Sequence, residues 1–394
     1  MRPALRPLIG RFALATLLAS AAVLPARAVE PTGNAIADAF LAGVEASGAE
    51  ALVVESVTGD DDTAEIVGFS ATLDDEGEKS EMAIDRIVID DAALADDRIE
   101  AGTVTLNGVT ISNGKGKFTA GRAAATGVRF PSPRDISSGA NAIAAEADYD
   151  GARVDGIVIS GEDGYTVPVE SVSFTAEQGD DGTVTRGTIA ADRIVLDVAS
   201  MPADDAKKEL TRLGYDRLTL SFASAGSWDP ATATGRIEKL ELSAEGIGKL
   251  TVSATIGGLT EEVVEKLRNP SDQDETTQLL QGLTIAEVSI AFDNETLVNR
   301  MLAAQAKEAG TTPETLADQL ATALPAMLAI LKNPEFQSKL AAAGALFLRE
   351  PVSLVATAKP AAPVPVAMLF GTAMMAPQTL PQVLNVDVVA NGQQ

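Results

Sequence analysis

From about residue 50 to residue 258 apolar and polar residues alternate with a period of two. "TVTLNGVTIS" alternates Val104 and Leu106 and then, after Gly108, Val109 and Ile111; "LTLSFA" alternates Leu218, Leu220 and Phe222; "KLTVSATI" alternates Leu250, Val252, Ala254 and Ile256. Such alternation predicts half-buried strands, each with one wall on a core and one facing solvent. "NGKG", "GEDG" and "GDDG" separate them as turns at hairpin-like spacing. Before this zone, "TGNAIADAFLAGVEASG" repeats Ile36, Phe40 and Val44 every four residues and predicts a short helix with Thr32 as its cap.

One strand is written twice. "GFSATLDDEGEKSEMAIDRIVID" lies over "SVSFTAEQGDDGTVTRGTIAADRIVLD", pairing Phe69 with Phe174 and Asp85 with Asp192. Ile87 and Ile89 match Ile194 and Leu196 on the inner wall; Arg86, Val88 and Asp90 match Arg193, Val195 and Asp197 on the outer one. Arg and Asp four residues apart on a strand are about 13 Å apart, too far to pair with each other, so their partners are expected on adjacent strands.

From residue 259 to 350 the period becomes 3.6. "TEEVVEKL" opens with Thr260 as a cap and two acids in the first turn. "DNETLVNRMLAAQAKEAG" puts Leu297, Met301 and Gln305 on one stripe and ends at Gly310, a C-cap. Thr312-Pro313-Glu314 and Asn333-Pro334-Glu335 repeat one starting grammar of cap, proline and acid, and Pro325 should kink or divide a helix. The strand "LTIAEVSIAF" precedes these helices. Residues 351–394 carry six prolines, one acid (Asp387) and one base (Lys359) around the apolar "VPVAMLFGTAMM", and end in a strand, "VLNVDVVAN". Those twelve apolar residues are too few to span a bilayer as a helix. They predict a buried helix closing the core, an adaptable lining for a lipid groove made by Met368, Leu369, Phe370, Met374 and Met375, or a docking surface for another envelope protein. The fold class expected is α+β: a large twisted antiparallel β-sheet of repeated strand units, a C-terminal helical subdomain and a final strand returning to the sheet. The domains expected are 1–28 (signal peptide), 29–258 (N-terminal helix and repeated sheet), 259–350 (strand and helices) and 351–394 (a tail closing the sheet). Whether the sheet closes as a core or stays open as a groove is left open by its medium-sized inner residues.

The first residues set the compartment. Arg2, Arg6 and Arg11 precede the apolar run "FALATLLASAAVLP", which ends at Ala26-Arg27-Ala28, a small-x-small cleavage motif. The run is shorter than a bilayer span, so a signal peptide is expected, with the periplasm as destination or full secretion as the alternative, and no transmembrane span after cleavage. The mature chain would have no cysteine and would be held by packing alone. Losing the leader's four arginines takes the net charge from −26 to −30. That charge repels phosphates and anionic head groups, so nucleic acid is excluded as a partner.

The absence of histidine and cysteine removes triads, imidazole bases, thiol nucleophiles and the usual zinc sites. Paired carboxylates remain as a possible hydrolase, but aromatics, on which sugars stack, make up only 4%. Trp228, before a proline turn, is expected to plug a core. No glycine-rich stretch has the strand-glycine-helix setting of a phosphate loop. The acidic "TGDDDTAE", "LDDEGEKSE", "SGEDGYT" and "QGDDGTV" could attract calcium, yet none has a known calcium-loop spacing, and solvated turns are expected there.

"LTLSFASAGSWDPATATGRIEKLELSAEGIGKLTVSATIGGL", followed by helices with "TPE" and "NPEF" and by "FLREPVSLVATAKPAAPVP", resembles uncharacterised exported β-rich proteins of alphaproteobacteria over residues 30–394. In style the chain is also similar to AsmA-type envelope proteins, whose long sheets curl into apolar grooves that handle lipid. Those proteins usually keep an N-terminal membrane anchor, whereas this leader ends in a cleavage motif. The resemblance implies no activity and carries no site residues. The function expected is a non-enzymatic periplasmic protein of the envelope, without a cofactor, whose partner is a lipid or another envelope protein. A carboxylate-dependent hydrolase and a purely structural envelope protein are the alternatives.

Overall fold

The computed structural model describes residues 30–392 except 76–77, 96, 139–147, 163, 180–181, 202 and 269–272. The leader, residues 1–28, and parts of the turns "GEDG" and "GDDG" lie outside the described residues. The chain folds into a large antiparallel sheet of 16 strands, with helices concentrated toward the C-terminus and a last strand that joins the sheet. It divides into two compact units, residues up to 176 with 191–194, and residues 177–190 with 195–392. The zones that composition marks at 258 and 350 fall inside the second unit.

The first unit begins with helix α1, Ala35–Ala46. Its strands are β1 (Glu50–Val53), β2 (Ser56–Gly59), β3 (Ala64–Asp75), β4 (Glu78–Ala95), β5 (Arg98–Asn113), β6 (Gly116–Phe130), β7 (Gly151–Gly161) and β8 (Thr166–Gln178). A one-turn helix α2, Pro133–Ser138, follows β6. The strands are ordered β1-β3-β4-β5-β6-β7-β8, with β2 on β3, so the sheet grows hairpin by hairpin. Ile36, Phe40 and Val44 of α1 are buried, as their spacing predicts, and Leu41 joins them. The cap is Asn34 rather than Thr32: the Asn34 side chain accepts from Ala37 N at 2.9 Å, while Thr32 donates through its amide and hydroxyl to Asp38 Oδ1. The core is a single cluster in which Ile66, Phe69, Ile84, Ile87, Ile89 and Val104 are almost wholly buried. Each such side chain contributes about 1.5–3 kcal/mol of transfer free energy.

Strands of this length need a device to keep one face inward. On β4 the inward series Met82, Ile84 breaks at the exposed pair Asp85-Arg86, resumes at Ile87 and Ile89, breaks at Asp90-Asp91 and resumes at Ala92. Its neighbours break at the same level: Asn107-Gly108 on β5 and Gly121-Arg122 on β6, then Gly102-Thr103 and Thr126-Gly127. Gly108 and Gly127 take left-handed φ values of +63° and +60°, and a Cβ at either would run into the carboxylate of Asp85 or Asp150. Irregularities of this kind bend a strand and restore its facing.

The second unit contains β9 (Val184–Asp197) apart from its residues 191–194, β10 (Arg217–Asp229), β11 (Thr234–Ala244), β12 (Gly248–Gly257), β13 (Thr284–Asn294), β14 (Ser353–Ala358), β15 (Val364–Pro365) and β16 (Val386–Ala390). The order is β9-β10-β11-β12-β13-β14-β16, with β15 on β13. Its helices are α3 (Asp205–Arg212), α4 (Glu261–Arg268), α5 (Gln273–Gln281), α6 (Leu297–Ala309), α7 (Pro313–Met327), α8 (Pro334–Arg349), α9 (Val366–Met375) and α10 (Leu380–Val383). The predicted caps hold: Thr260, Thr312 and Asn333 accept from Val263 N, Thr315 N and Phe336 N, and Gly310 closes α6 with φ +66°. The buried stripe of α6 is Leu302 and Ala306, displacing the expected Met301, which is exposed. Pro325 stands two residues before the end of α7, which passes into a 3-10 turn at Leu328–Leu331. A small core of Val198, Leu213, Tyr215 and Leu218 gathers near the start of β10, where Arg300 stacks 4.1 Å above the Tyr215 ring.

Candidate functional site

The register of β10–β14 and β16 separates two faces of the second unit's sheet. Leu242 pairs with both Phe222 and Leu250, Leu240 with Val252, Leu250 with Phe292, Val252 with Ile290, and Phe292 with Leu354. In an antiparallel ladder paired residues project to the same side. One face is therefore Leu220, Phe222, Leu240, Leu242, Leu250, Val252, Ile290, Phe292 and Leu354. Its reverse mixes Ser221, Lys239, Glu241, Lys249, Thr251, Ser289 and Asp293 with Ala223, Ala291 and Val355 on the same strands.

Such an apolar face is expected to be covered, and part of it is. The ring of Phe347 on α8 meets Phe292 edge-on at 6.3 Å. Toward β11 and β12 the cover ends: Leu240, Leu242, Leu250 and Ile290 keep between 37% and 51% of their surface exposed. On β11 and β12 only glycines, Gly235 and Gly248, are fully buried. This corrects the expectation that every strand of residues 50–258 presses one wall onto a core. In the first unit the inward aliphatics at the centre of β3–β6 are sealed, while Leu94 and Val172 keep 43% and 37% of their surface; in the second they form an apolar wall with one side open.

The five residues expected to line a groove lie on α9. That helix buries none of its residues, so it does not close the core as a buried helix. Met368 and Phe370 are exposed, and Met374 and Met375 keep 87% and 84% of their surface, too much for the lining of an enclosed channel. Leu369 is half-buried. These residues make an outward apolar surface, and the wall on β10–β13 was not singled out from sequence, although "KLELSA" carried its alternation.

The polar groups pair with one another within turns and across neighbouring strands. Arg86 pairs with Glu65 at 2.7 Å on β3, and Arg193 with Glu170 at 3.3 Å on β8, so both copies of the repeated Arg find partners on a neighbouring strand. Asp192 accepts from the Ser171 hydroxyl at 2.9 Å. The Glu65 hydrogen bond raises the Arg86 titration, and solvent screens an exposed pair of this type. In "TGDDDTAE" the Thr63 hydroxyl holds the Asp60 carboxyl below the usual range, while the hydrogen bond to Asp60 raises Asp62. Asp229 is lowered by Thr232, Glu209 by Arg212 and Glu262 by Lys266, all at exposed positions. Among the described residues no three Asp or Glu side chains are grouped to hold a metal ion. Trp228 donates from its indole to Leu259 O at 2.7 Å and is half-buried, pinning the end of β10 to the segment that leads into α4.

Among the described residues no helix is long and apolar enough to cross a membrane. No curated protein matches the chain. A family described as an uncharacterized protein matches residues 241–391, a stretch inside the second unit that takes in Leu242, Leu250, Ile290 and all of α9.

Proposed function

We propose that this is a non-enzymatic protein of the bacterial envelope, exported to the periplasm by its leader, which holds a lipid or similar amphiphile by its alkyl part against the open apolar wall of β10–β13. The observation that carries this reading is the exposure of Leu240, Leu242, Leu250 and Ile290 on three adjacent strands, next to the half-buried Phe222, Val252 and Phe292. Covering four half-exposed aliphatic side chains is worth about 1 kcal/mol each, or about 4 kcal/mol in all. That alone corresponds to about millimolar affinity, so useful binding requires an alkyl chain long enough to reach Phe222 and Val252 as well. A wall of Leu, Ile, Val and Phe without charged groups selects for the alkyl part and not for a particular head group. The export reading rests on Arg2, Arg6 and Arg11, the apolar run after them and the Ala26-Arg27-Ala28 motif.

The test is organic extraction of the mature chain, purified without detergent, followed by mass spectrometry. An amphiphile at near-stoichiometric amount is expected, and it should be lost in a Leu242→Glu, Leu250→Glu variant that keeps its circular dichroism. A clean extract from the unaltered protein would overturn the reading.

A further inference from the structure

The five most exposed large apolar side chains among the described residues are Met374 (87%), Met375 (84%), Ile330 (82%), Met327 (61%) and Phe370 (57%). They come from two stretches far apart in sequence, the end of α9 and the α7–α8 junction. Asn333 ties these stretches together. Its side-chain Oδ1 caps α8 by accepting from Phe336 N at 3.1 Å, and its Nδ2 donates to Gln378 O at 2.9 Å. Ile330 lies three residues before Asn333 and Met375 three before Gln378, so each is within about 11 Å of chain from that bond. Exposed apolar side chains gathered from separate elements mark a contact surface, whereas scattered ones need no explanation.

The charge around this cluster tells what it contacts. In a chain of net charge −26, residues 319–331 and 360–386 carry no charge at all. The ionic groups that bound these stretches are Asp318, Lys332, Lys359 and Asp387, two of each sign, and Lys332, exposed and on left-handed backbone, follows Ile330 by two residues. A second copy of the chain would bring another polyanion to this spot. An anionic bilayer would be repelled by the rest of the molecule. A bilayer of zwitterionic lipid meets the neutral patch without either cost.

We infer that the end of α9 and the α7–α8 junction form a docking surface for a membrane of low net charge. Met374, Met375, Ile330, Met327 and Phe370 enter the boundary between head groups and acyl chains, a depth of about 5–10 Å, without spanning the bilayer. Methionine suits this task because its unbranched thioether side chain adapts to a disordered surface. The docking surface is made of other residues than the wall on β10–β13 and goes beyond the ligand-holding reading.

The test is flotation of the mature chain, purified without detergent, with phosphatidylcholine vesicles and with the same vesicles containing phosphatidylglycerol. Flotation with phosphatidylcholine is expected, weakened by phosphatidylglycerol and recovered when salt screens the charge. An Ile330→Ser, Met374→Ser, Met375→Ser variant should lose about tenfold or more of the bound fraction. The triple variant should keep the amphiphile in its organic extract, which separates failure of docking from failure of amphiphile binding. Because the chain has no cysteine, a polarity-sensitive dye on Met374→Cys gives a second reading, with a blue shift expected on vesicles. The inference is overturned by any of four outcomes: no flotation, undiminished flotation of the triple variant, an unshifted dye, or a dimer that the triple variant disperses in the absence of vesicle binding.

Discussion

Gly108 shows how a single backbone position serves a long sheet. Its φ of +63° is open to glycine and strained for other residues, and the space beside its Cα is taken by the Asp85 carboxylate of the neighbouring strand. Gly108→Ala therefore meets two costs, a left-handed alanine and a displaced carboxylate, together about 1–3 kcal/mol. In an Asp85→Ala background the carboxylate is gone and only the backbone cost and the 3.0 Å approach to the Cβ of residue 85 remain, so the same substitution should lower the thermal midpoint less than it does in the unaltered chain. Equal losses in the two backgrounds would show that the Asp85 contact does not matter. The position was visible in the sequence as a break in alternation between Leu106 and Val109. What the sequence did not disclose is that Asp85-Arg86, Asn107-Gly108 and Gly121-Arg122 break at one level, because register between strands is a long-range property.

At the scale of the element, Asn333 joins one helix start to another segment. Asn333→Ala removes both the cap acceptor and the donor to Gln378 O, from a residue only 5% exposed, and should cost about 1–2 kcal/mol in urea unfolding. Asn333→Asp keeps the acceptor, favoured by the helix dipole, and loses the donor, so its cost should be smaller. An aspartate variant as unstable as the alanine variant would mean that the tie to Gln378 matters more than the cap. The helices themselves were legible, since Thr-Pro-Glu and Asn-Pro-Glu are local signals acting within one turn. Errors arose where local signals compete or where facing depends on partners. "TGN" offers two caps, and Asn34 wins because its side-chain amide also donates to Asp60 O and Thr63 O, well ahead in the chain. Met301 yields to Leu302 and Ala306 because the position of the neighbouring elements, absent from a helical period, decides which side of α6 is inside.

For the whole molecule the main contrast is between two parts of the sheet written in the same alternation. "TVTLNG" and "KLELSA" have one pattern, yet Val104 and Leu106 are sealed while Leu240 and Leu242 are open. Nothing within either segment announces this difference, because cover is supplied by distant elements such as α1 in the first unit and α8 in the second. The difference has a consequence for local stability. Opening a strand of the first unit exposes fully buried isoleucines such as Ile84, Ile87 and Ile89, whereas opening β11 or β12 exposes aliphatics that already meet water. Amide hydrogen exchange should therefore be faster across Leu240–Leu242 and Leu250–Val252 than across Ile84–Ile89, by about tenfold or more, since about 1.4 kcal/mol of lost burial is enough for that factor. An amphiphile bound on the wall adds cover to β10–β13 alone, so it should slow exchange there and leave β4–β6 unchanged, by the linkage that makes any ligand of the folded state protective. Protection appearing instead in β4–β6, or exchange equally slow in β4–β6 and β10–β13 before ligand is added, would show that the open wall is not where the second unit receives its missing layer.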